Sequence, residues 1–315
     1  SSTSRVLGDV YKRQGMYLLQ TVTAVYLRLL GHEISNGGFV LDVNETPDPE
    51  EFEDAYMRYA NARVCPPRPA EKTYRMRGTQ EPFYTLNVID GIMSVSAVQK
   101  VAKQYQASIT EYLNAVLLYS LLQKQEHDFH LRLRPVRIAM PVNLRRFFPS
   151  KTLRNFITMV YPSIDPRLGD YTFEEIVTQV HHYMRYYINS KFLRGDITTN
   201  ASTQRNPLIR IVPLFLKDFV VRQFYQRVQD KNSSAGLTNM GAIRVPDDMK
   251  PYLERFDIYM GIPYSQRTNC AIVSFEDTLT VNFASCIIEA DVERRFFQKL
   301  VEDGIPVTIE SNREL

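Results

Sequence analysis

The stretch RPVRIAMPVNLRRFFPSKTLRNFITMVYPSID, residues 134–165, decides how this 315-residue chain is read. RPVRIAMPVNLRR has the apolar run of a buried strand that passes into a loop, and NFITMVYPSID reads as a second strand closed by a proline. The first strand ends in Asn143, Leu144, Arg145 and Arg146, and Asn155–Phe156 opens the next. That arrangement gathers polar groups at a strand end, where sites built on sheets collect. The plainer alternative is a solvated arginine rim with asparagines serving the turn backbone. The residues leave both open.

Working outward, the segments on either side are regular. FYTLNVIDGIMS alternates as a strand, and Ser94 then caps a helix with Val95, Val98, Val101, Ala102 and Tyr105 on one face. Ser108 and Glu111 form a capping box for a helix carrying Leu113, Val116, Leu117 and Leu121. Thr172 and Glu175 form another, opening a helix with Ile176, Val180, Tyr183, Met184 and Tyr187 inward. Residues 207–229 read as helical, interrupted at Pro213. Four strand-like runs follow: SAGLTNMGAIRV, RFDIYMGIPY, NCAIVSFED and TLTVNFASCII, the last two meeting at a hairpin turn over Glu276, Asp277 and Thr278. Asp291 is expected to cap a final helix with Val292, Phe296, Phe297 and Leu300, which Gly304 ends before the strand IPVTIE. In AGLTNMGAI the small residues allow a ligand or another backbone to approach, with Thr238 and Asn239 offering hydrogen bonds. A bulge with a packing glycine explains the same run. The class is mixed α/β, with helices between strands and a strand-rich C-terminal third.

The start of the chain reads differently. In YKRQGMYLLQTVTAVYLRLLG, residues 11–31, an amphipathic helix begins at Met16, just after Gly15, with Leu18, Leu19, Val22, Tyr26, Leu29 and Leu30 recurring and Gly31 as a stop. SSTSRVLGDVYKRQ before it has no initiator Met and no periodicity. Residues 1–14 are expected to be a non-native scar, with a disordered extension as the alternative. EEFEDAYMRYA resembles a short acidic helix, and VCPPRPAEK is a proline-rich connector. A lobe boundary is therefore expected around residues 65–80, dividing 15–80 from 81–315.

Composition excludes several classes. Thirty-eight basic and 35 acidic residues give +3 without a concentrated basic block, so nothing in the charge favours nucleic acid. Cys65, Cys270 and Cys286 are odd in number and widely spaced, as for reduced thiols in a cytoplasmic protein. No apolar run approaches the roughly 18 residues of a membrane span, and the opening residues lack the apolar core of a signal peptide. IRIVPLFLKDFVVRQFYQRV mixes apolar and basic residues, which suits inter-lobe packing or peripheral contact with a lipid surface. GxGxxG after a strand, the P-loop, GxSxG and HExxH are all missing. His181 and His182 flank the apolar face of their helix and read as surface residues, with no third ligand spaced for a metal. His127 and His130 fall in a polar turn, and His32 follows a helix stop.

The order of parts carries a resemblance that no single motif does. A strand, two capped helices, a strand ending PVNLR, a loop and an NF strand are followed by long helices. A TNMG strand, the SFEDTLTVNF hairpin and a closing FFQKLVEDGIPVTIES unit come next. This succession resembles the chloramphenicol acetyltransferase and condensation-domain superfamily, nearest to its alcohol O-acetyltransferase branch, over residues 15–315. The resemblance implies a two-lobed α/β sandwich whose N-terminal lobe is truncated here. In that family an HxxxDG motif directly precedes a helix like GMYLLQTVTAVYLRLLG, whereas LGDVYKRQ stands in its place. The motif histidine, a general base, is expected upstream of Gly15 and is missing. Neither it nor the motif aspartate maps onto this chain.

What the resemblance further implies is acyl transfer from a CoA thioester to the hydroxyl of an alcohol or similar acceptor. No bound cofactor or metal is required, and acyl-CoA serves as co-substrate. By position alone it places Asn143, Arg145 and Asn155 near the active-site channel. Thr238, Asn239 and Gly241 fall on the strand crossing between lobes. Without the histidine the chain is expected to be inactive as it stands, and the first helix to expose an apolar face. A carrier-protein-dependent condensation domain and a non-catalytic binding or scaffold protein are the alternatives.

Overall fold

The computed structural model describes residues 12–42, 44–61, 71–82, 85–128, 132–205, 233–262 and 266–313. Its centre is one mixed sheet of eight strands. In chain order they are β1 (Asn87–Ser94), β2 (Val136–Asn143), β3 (Ile157–Val160), β4 (Ser163–Ile164), β5 (Ala235–Ala242), β6 (Thr268–Phe275), β7 (Thr278–Ser285) and β8 (Thr308–Ser311). Seven run β3–β2–β5–β6–β7–β1–β8 across the sheet, and β4 also pairs with β2. β5 is parallel to both neighbours, and the other pairings are antiparallel.

Among the described residues, seven α-helices accompany the sheet: α1 (Lys12–Leu29), α2 (Ala55–Tyr59), α3 (Val95–Gln104), α4 (Ile109–His127), α5 (Phe173–Tyr187), α6 (Ser190–Arg205) and α7 (Asp291–Glu302). The expected caps form. Ser94 accepts from the Ala97 amide at 3.2 Å, and both reciprocal bonds of each capping box, Ser108 with Glu111 and Thr172 with Glu175, are present. These boxes satisfy amides that a helix start leaves without partners.

The strand period sorts residues between two covered faces. Ile138, Met140, Leu237, Cys270, Ile272, Val281 and Phe283 join α4 and α7 in the main core. The Phe283 and Phe296 rings meet edge-on at 5.1 Å. A smaller apolar cluster joins Ala24 and Leu27 of α1 to Ile34, Val40, Val245, Met249 and Phe275. Because both faces are covered, Thr280 and Asn282 are as buried as Val281 and Phe283, and β7 does not alternate in exposure.

Of five expectations, four are corrected and one, the exposed apolar face of the first helix, is found as stated. First, α1 starts at Lys12 instead of Met16, so Gly15 lies inside the helix and does not mark its boundary, and residues 12–14 are helical. Lys, Arg and Gln are good helix formers, and one exposed glycine near a helix end costs only about 1 kcal/mol. Gly15 is exposed, with nothing within 4 Å of a Cβ placed on it. Second, α1 packs through Gln20, Thr21, Ala24 and Leu27. Leu18, Leu19, Val22, Tyr26, Leu29 and Leu30 face outward, Leu29 being 82% exposed. The apolar stripe forms one face and is turned away from the sheet, as the exposed-face expectation requires. Third, the acidic helix splits into a 3-10 turn over Pro49–Phe52 and α2, each started by its own aspartate cap, Asp48 and Asp54. Fourth, RFDIYMGIPY forms no strand over its described residues, because sheet side chains hold its backbone across the sheet face. Fifth, Asp291 is the first residue of α7 rather than its cap, and its carboxylate is drawn to Lys124 on α4 at 2.9 Å. The helix expected over 207–229, the connector at 62–70 with Cys65, and His130 lie outside the described residues.

Candidate functional site

β2 and β5 pair only at Ile138–Ala235 and Ala139–Gly236. Beyond those residues β2 runs on to Asn143 beside β3, while β5 runs on to Ala242 beside β6. The carboxyl ends of two parallel strands therefore part, and open α/β sheets place ligands at such a point. Asn143, Arg145 and Asn155 lie on the β2–β3 side of the parting, and Thr238, Asn239 and Gly241 on the β5 side. The fold brings the two sequence-distant groups to one end of the sheet.

On the first side, much of the chemistry is spent locally. The Asn143 carboxamide oxygen accepts from the Arg145 amide at 3.1 Å and caps the 3-10 turn Leu144–Arg146. Arg145 donates through Nε and Nη2 to the Thr152 carbonyl at 3.1 and 2.7 Å, and through Nη2 to the Arg154 carbonyl at 2.6 Å. Its guanidinium thus locks the loop between β2 and β3, in agreement with the turn-serving alternative. Asn155 differs, because its buried Oδ1 has no hydrogen-bond partner. Its neighbours are tied: Leu144 donates to the Phe156 carbonyl, and the Tyr56 hydroxyl accepts from the Ile157 amide at 3.1 Å. Burial pushes that hydroxyl's pKa up to about 12, so it stays protonated and also donates to the Ile157 carbonyl.

On the β5 side, Thr238 is buried in register with Ala271. The Asn239 Oδ1 accepts from the Gly241 amide at 2.7 Å, and its Nδ2 donates to Thr110 Oγ1 at 2.8 Å. The register with β6 shifts between Asn239 and Ala242, and Gly241 has φ +75. A bulge is present, then, and its glycine is required by the left-handed backbone rather than by packing, since nothing lies within 4 Å of a Cβ there.

Two residues of α4 escape the sequence reading. Thr110 receives Asn239, and Asn114, one turn on, is fully buried with neither amide atom partnered. The signal is an asparagine in the largely apolar run LNAVLLYSLL, four residues from a threonine and so on the same helix face.

The histidines fall elsewhere. Upstream of Gly15 the sequence holds none, and the helical residues there are Lys12, Arg13 and Gln14. His182 is exposed and lines a shallow groove of about 650 Å³ on α5, with Tyr183, Tyr186 and Tyr187. Tyr183 accepts from the Tyr161 amide, which places the groove beside the N-terminal half of β2, away from Asn143. His181 is half-buried rather than on the surface, turned toward α4 with Nδ1 at 3.3 Å from Glu111 without hydrogen-bond alignment. Glu111 already serves the α4 capping box. HEISNG (residues 32–37) has the histidine and glycine spacing of HxxxDG, with Asn36 at the acid's place, but it follows a helix instead of preceding one. The His32 ring packs tilted against Tyr252 with centroids 4.3 Å apart, and Asn36 accepts from Arg28 at 2.7 Å. Among the described residues no cluster of histidine, cysteine and acidic side chains could hold a metal.

No protein-family model matches the chain, and no curated protein matches it in sequence. Solved structures do. The epimerization domain from the third module of tyrocidine synthetase B matches with TM-score 0.51 at 11% identity, over 94% of this chain and 67% of its own. Trichothecene 15-O-acetyltransferase from Fusarium sporotrichioides matches with TM-score 0.50 at 13% identity, over 87% of this chain and 54% of its own. The chain has the fold of the chloramphenicol acetyltransferase and condensation-domain superfamily, as its order of elements implied. It spans about two-thirds of the first structure's length and about half of the second's.

Proposed function

We propose that the chain serves acyl transfer, binding an acyl-CoA donor where β2 and β5 part and delivering the acyl group to a hydroxyl acceptor. The observation that carries this reading is the parting itself, flanked by Asn155 on one side and by Asn239 with its Thr110 partner on the other. An extended pantetheine arm has amide and carbonyl groups of the kind that carboxamides and a hydroxyl at the strand ends suit. Transfer also needs a base to take the acceptor's proton as oxygen attacks the thioester carbon and the thiolate leaves. Among the described residues near the strand ends none is suited to that role, so the chain is expected to bind its donor and turn it over negligibly.

The test is calorimetric titration of CoA into the chain, paired with a thiol-release assay using acetyl-CoA and a simple alcohol. Saturable binding with negligible thiol release supports the reading. Brisk release overturns the missing-base argument, and no binding overturns the CoA-donor assignment. The match to an epimerization domain at a TM-score close to that of the acetyltransferase keeps a carrier-protein reading beside it. Titration with a phosphopantetheinylated carrier protein in place of CoA separates the two. Among the described residues no helix is long and apolar enough to cross a membrane. A cytoplasmic location remains part of the proposal.

A further inference from the structure

Residues 255–261 cross the sheet on the face opposite α4 and α7, and none of residues 253–262 is buried. They form no backbone ladder with any strand. Side chains of the sheet hold them instead. Thr280 Oγ1 donates to the Phe256 carbonyl at 2.8 Å, and Asn269 Nδ2 donates to the Gly261 carbonyl at 3.0 Å. The Tyr259 hydroxyl donates to Asp90 at 2.8 Å. Asn282 is the hub: its Oδ1 accepts from the Ile258 amide at 3.2 Å, and its Nδ2 donates to Asp90 at 2.8 Å and Asp257 at 3.1 Å. Arg255 adds an ion pair to Glu310 of β8 and another to Asp257.

What lies under this segment differs in kind from what lies under α4. Asp90, Asn269, Thr280 and Asn282 are each nearly fully buried, and all four are polar. Lifting the segment would wet mainly hydrogen-bonding groups, which water can satisfy, would give up the edge-on contact of the Phe256 ring with Phe275 at 5.4 Å, and would leave the main apolar core on the other face sealed. Such an opening costs far less than exposing the main core, because one aromatic contact is lost and no strand has to separate. The segment also lies against the candidate site strand: Met260 Cε is 3.2 Å from where a Cβ on Gly236 would be, and Asn269 joins the Gly236 amide to the Gly261 carbonyl.

We propose that residues 255–261 are a movable strap, clasped by Asn282, whose release uncovers the face of β5 bearing Gly236 and Thr238 without unfolding the sheet. The strap is a gate on the back of the strand that carries Asn239, and it operates whichever thioester donor the site takes.

Native-state hydrogen exchange on the intact chain tests this, comparing peptides over 253–262 with β7 peptides over 279–285. The strap amides, Ile258 among them, should exchange at least about tenfold faster than β7 and respond weakly to added urea, as a local opening does. Asn282→Ala should speed the strap by about a further tenfold and change β7, which carries the substitution, by much less. If strap and sheet share one opening rate and one urea dependence in the unaltered chain, the strap does not move separately and the proposal fails. Should Asn282→Ala fold poorly, Thr280→Val removes one fastener at Phe256 and should still speed the strap selectively. Equal acceleration of strap and β7 in that variant also overturns the proposal.

Discussion

Asn239 donates its carboxamide N–H to Thr110 Oγ1 at 2.8 Å, joining the bulged end of β5 to the first turn of α4 across 129 residues of chain. The same carboxamide takes the Gly241 amide on its oxygen, so one side chain shapes the bulge and anchors it. Thr110→Val should cost about 1 kcal/mol, the usual net worth of such a bond. Urea unfolding measures this, and Thr110→Ser should restore most of the loss. If CoA binds at the strand ends, its affinity should fall in the Val variant and recover in the Ser variant.

Gly91 on β1 lies directly beneath the Phe297 ring of α7. A Cβ at that position would stand 2.0 Å from Cε1 and 2.7 Å from Cζ, far inside contact distance. Gly91→Ala should therefore destabilise the chain by about 1–3 kcal/mol through overpacking. Pairing it with Phe297→Leu should cost less than the two single changes summed, since they share one contact. A double-mutant cycle in urea decides.

The outward stripe of α1 predicts a split between faces. Leu18→Gln, Val22→Gln and Leu29→Gln should each alter stability by less than about 0.5 kcal/mol, because those side chains touch solvent. Leu27→Ala, on the packed face, should cost about 2–5 kcal/mol. The triple Gln variant should also self-associate less in light scattering, since a contiguous exposed apolar stripe promotes association. Unchanged scattering would argue that the stripe is not what brings copies together.

Glu293, in the first turn of α7, is almost fully buried and accepts from Thr268 Oγ1 at 2.6 Å. Burial, the dominant cause, raises its pKa above the ordinary carboxylate value. Between that ordinary value and the raised one, the folded chain keeps a proton that the unfolded chain has lost. Stability should therefore fall as pH rises through this window. Glu293→Gln keeps an acceptor for Thr268 and removes the titration, so its melting temperature should lose this part of the pH dependence and exceed that of the unaltered chain at neutral pH. Parallel melting curves for the two proteins from about pH 5 to 8 would show that Glu293 does not contribute the slope.

Local signals in the chain are sufficient for most helix starts and most strands. Ser94, Ser108 and Thr172 cap where their spacing to a following amide or glutamate says they should, because a cap is completed within four residues. The start of α1 is the exception: Gly15 has the look of a boundary, yet the backbone turns of the helix run through it from Lys12. The β6–β7 hairpin is equally local, its two strands meeting across Glu276 and Asp277, with Glu276 at φ +49. Even the resemblance rests on the order of such elements. The candidate residues are legible only as positions; what each does is not, because Arg145 spends its guanidinium on carbonyls seven and nine residues away and Asn239 reaches Thr110.

Three matters are settled by partners far apart in the chain. Which face of α1 turns inward depends on Val245, Met249 and Phe275, more than 200 residues on, and an apolar period names a face without naming its direction. RFDIYMGIPY has a strand's composition yet makes no ladder over its described residues, because Asn269, Thr280 and Asn282 take its backbone groups with their side chains. Asp291 sits where a cap is expected and answers Lys124 on another helix instead. Hydrogen bonds closed over three or four residues can be read along the chain, whereas a polar group offered two partners takes the one that packing brings within about 3 Å.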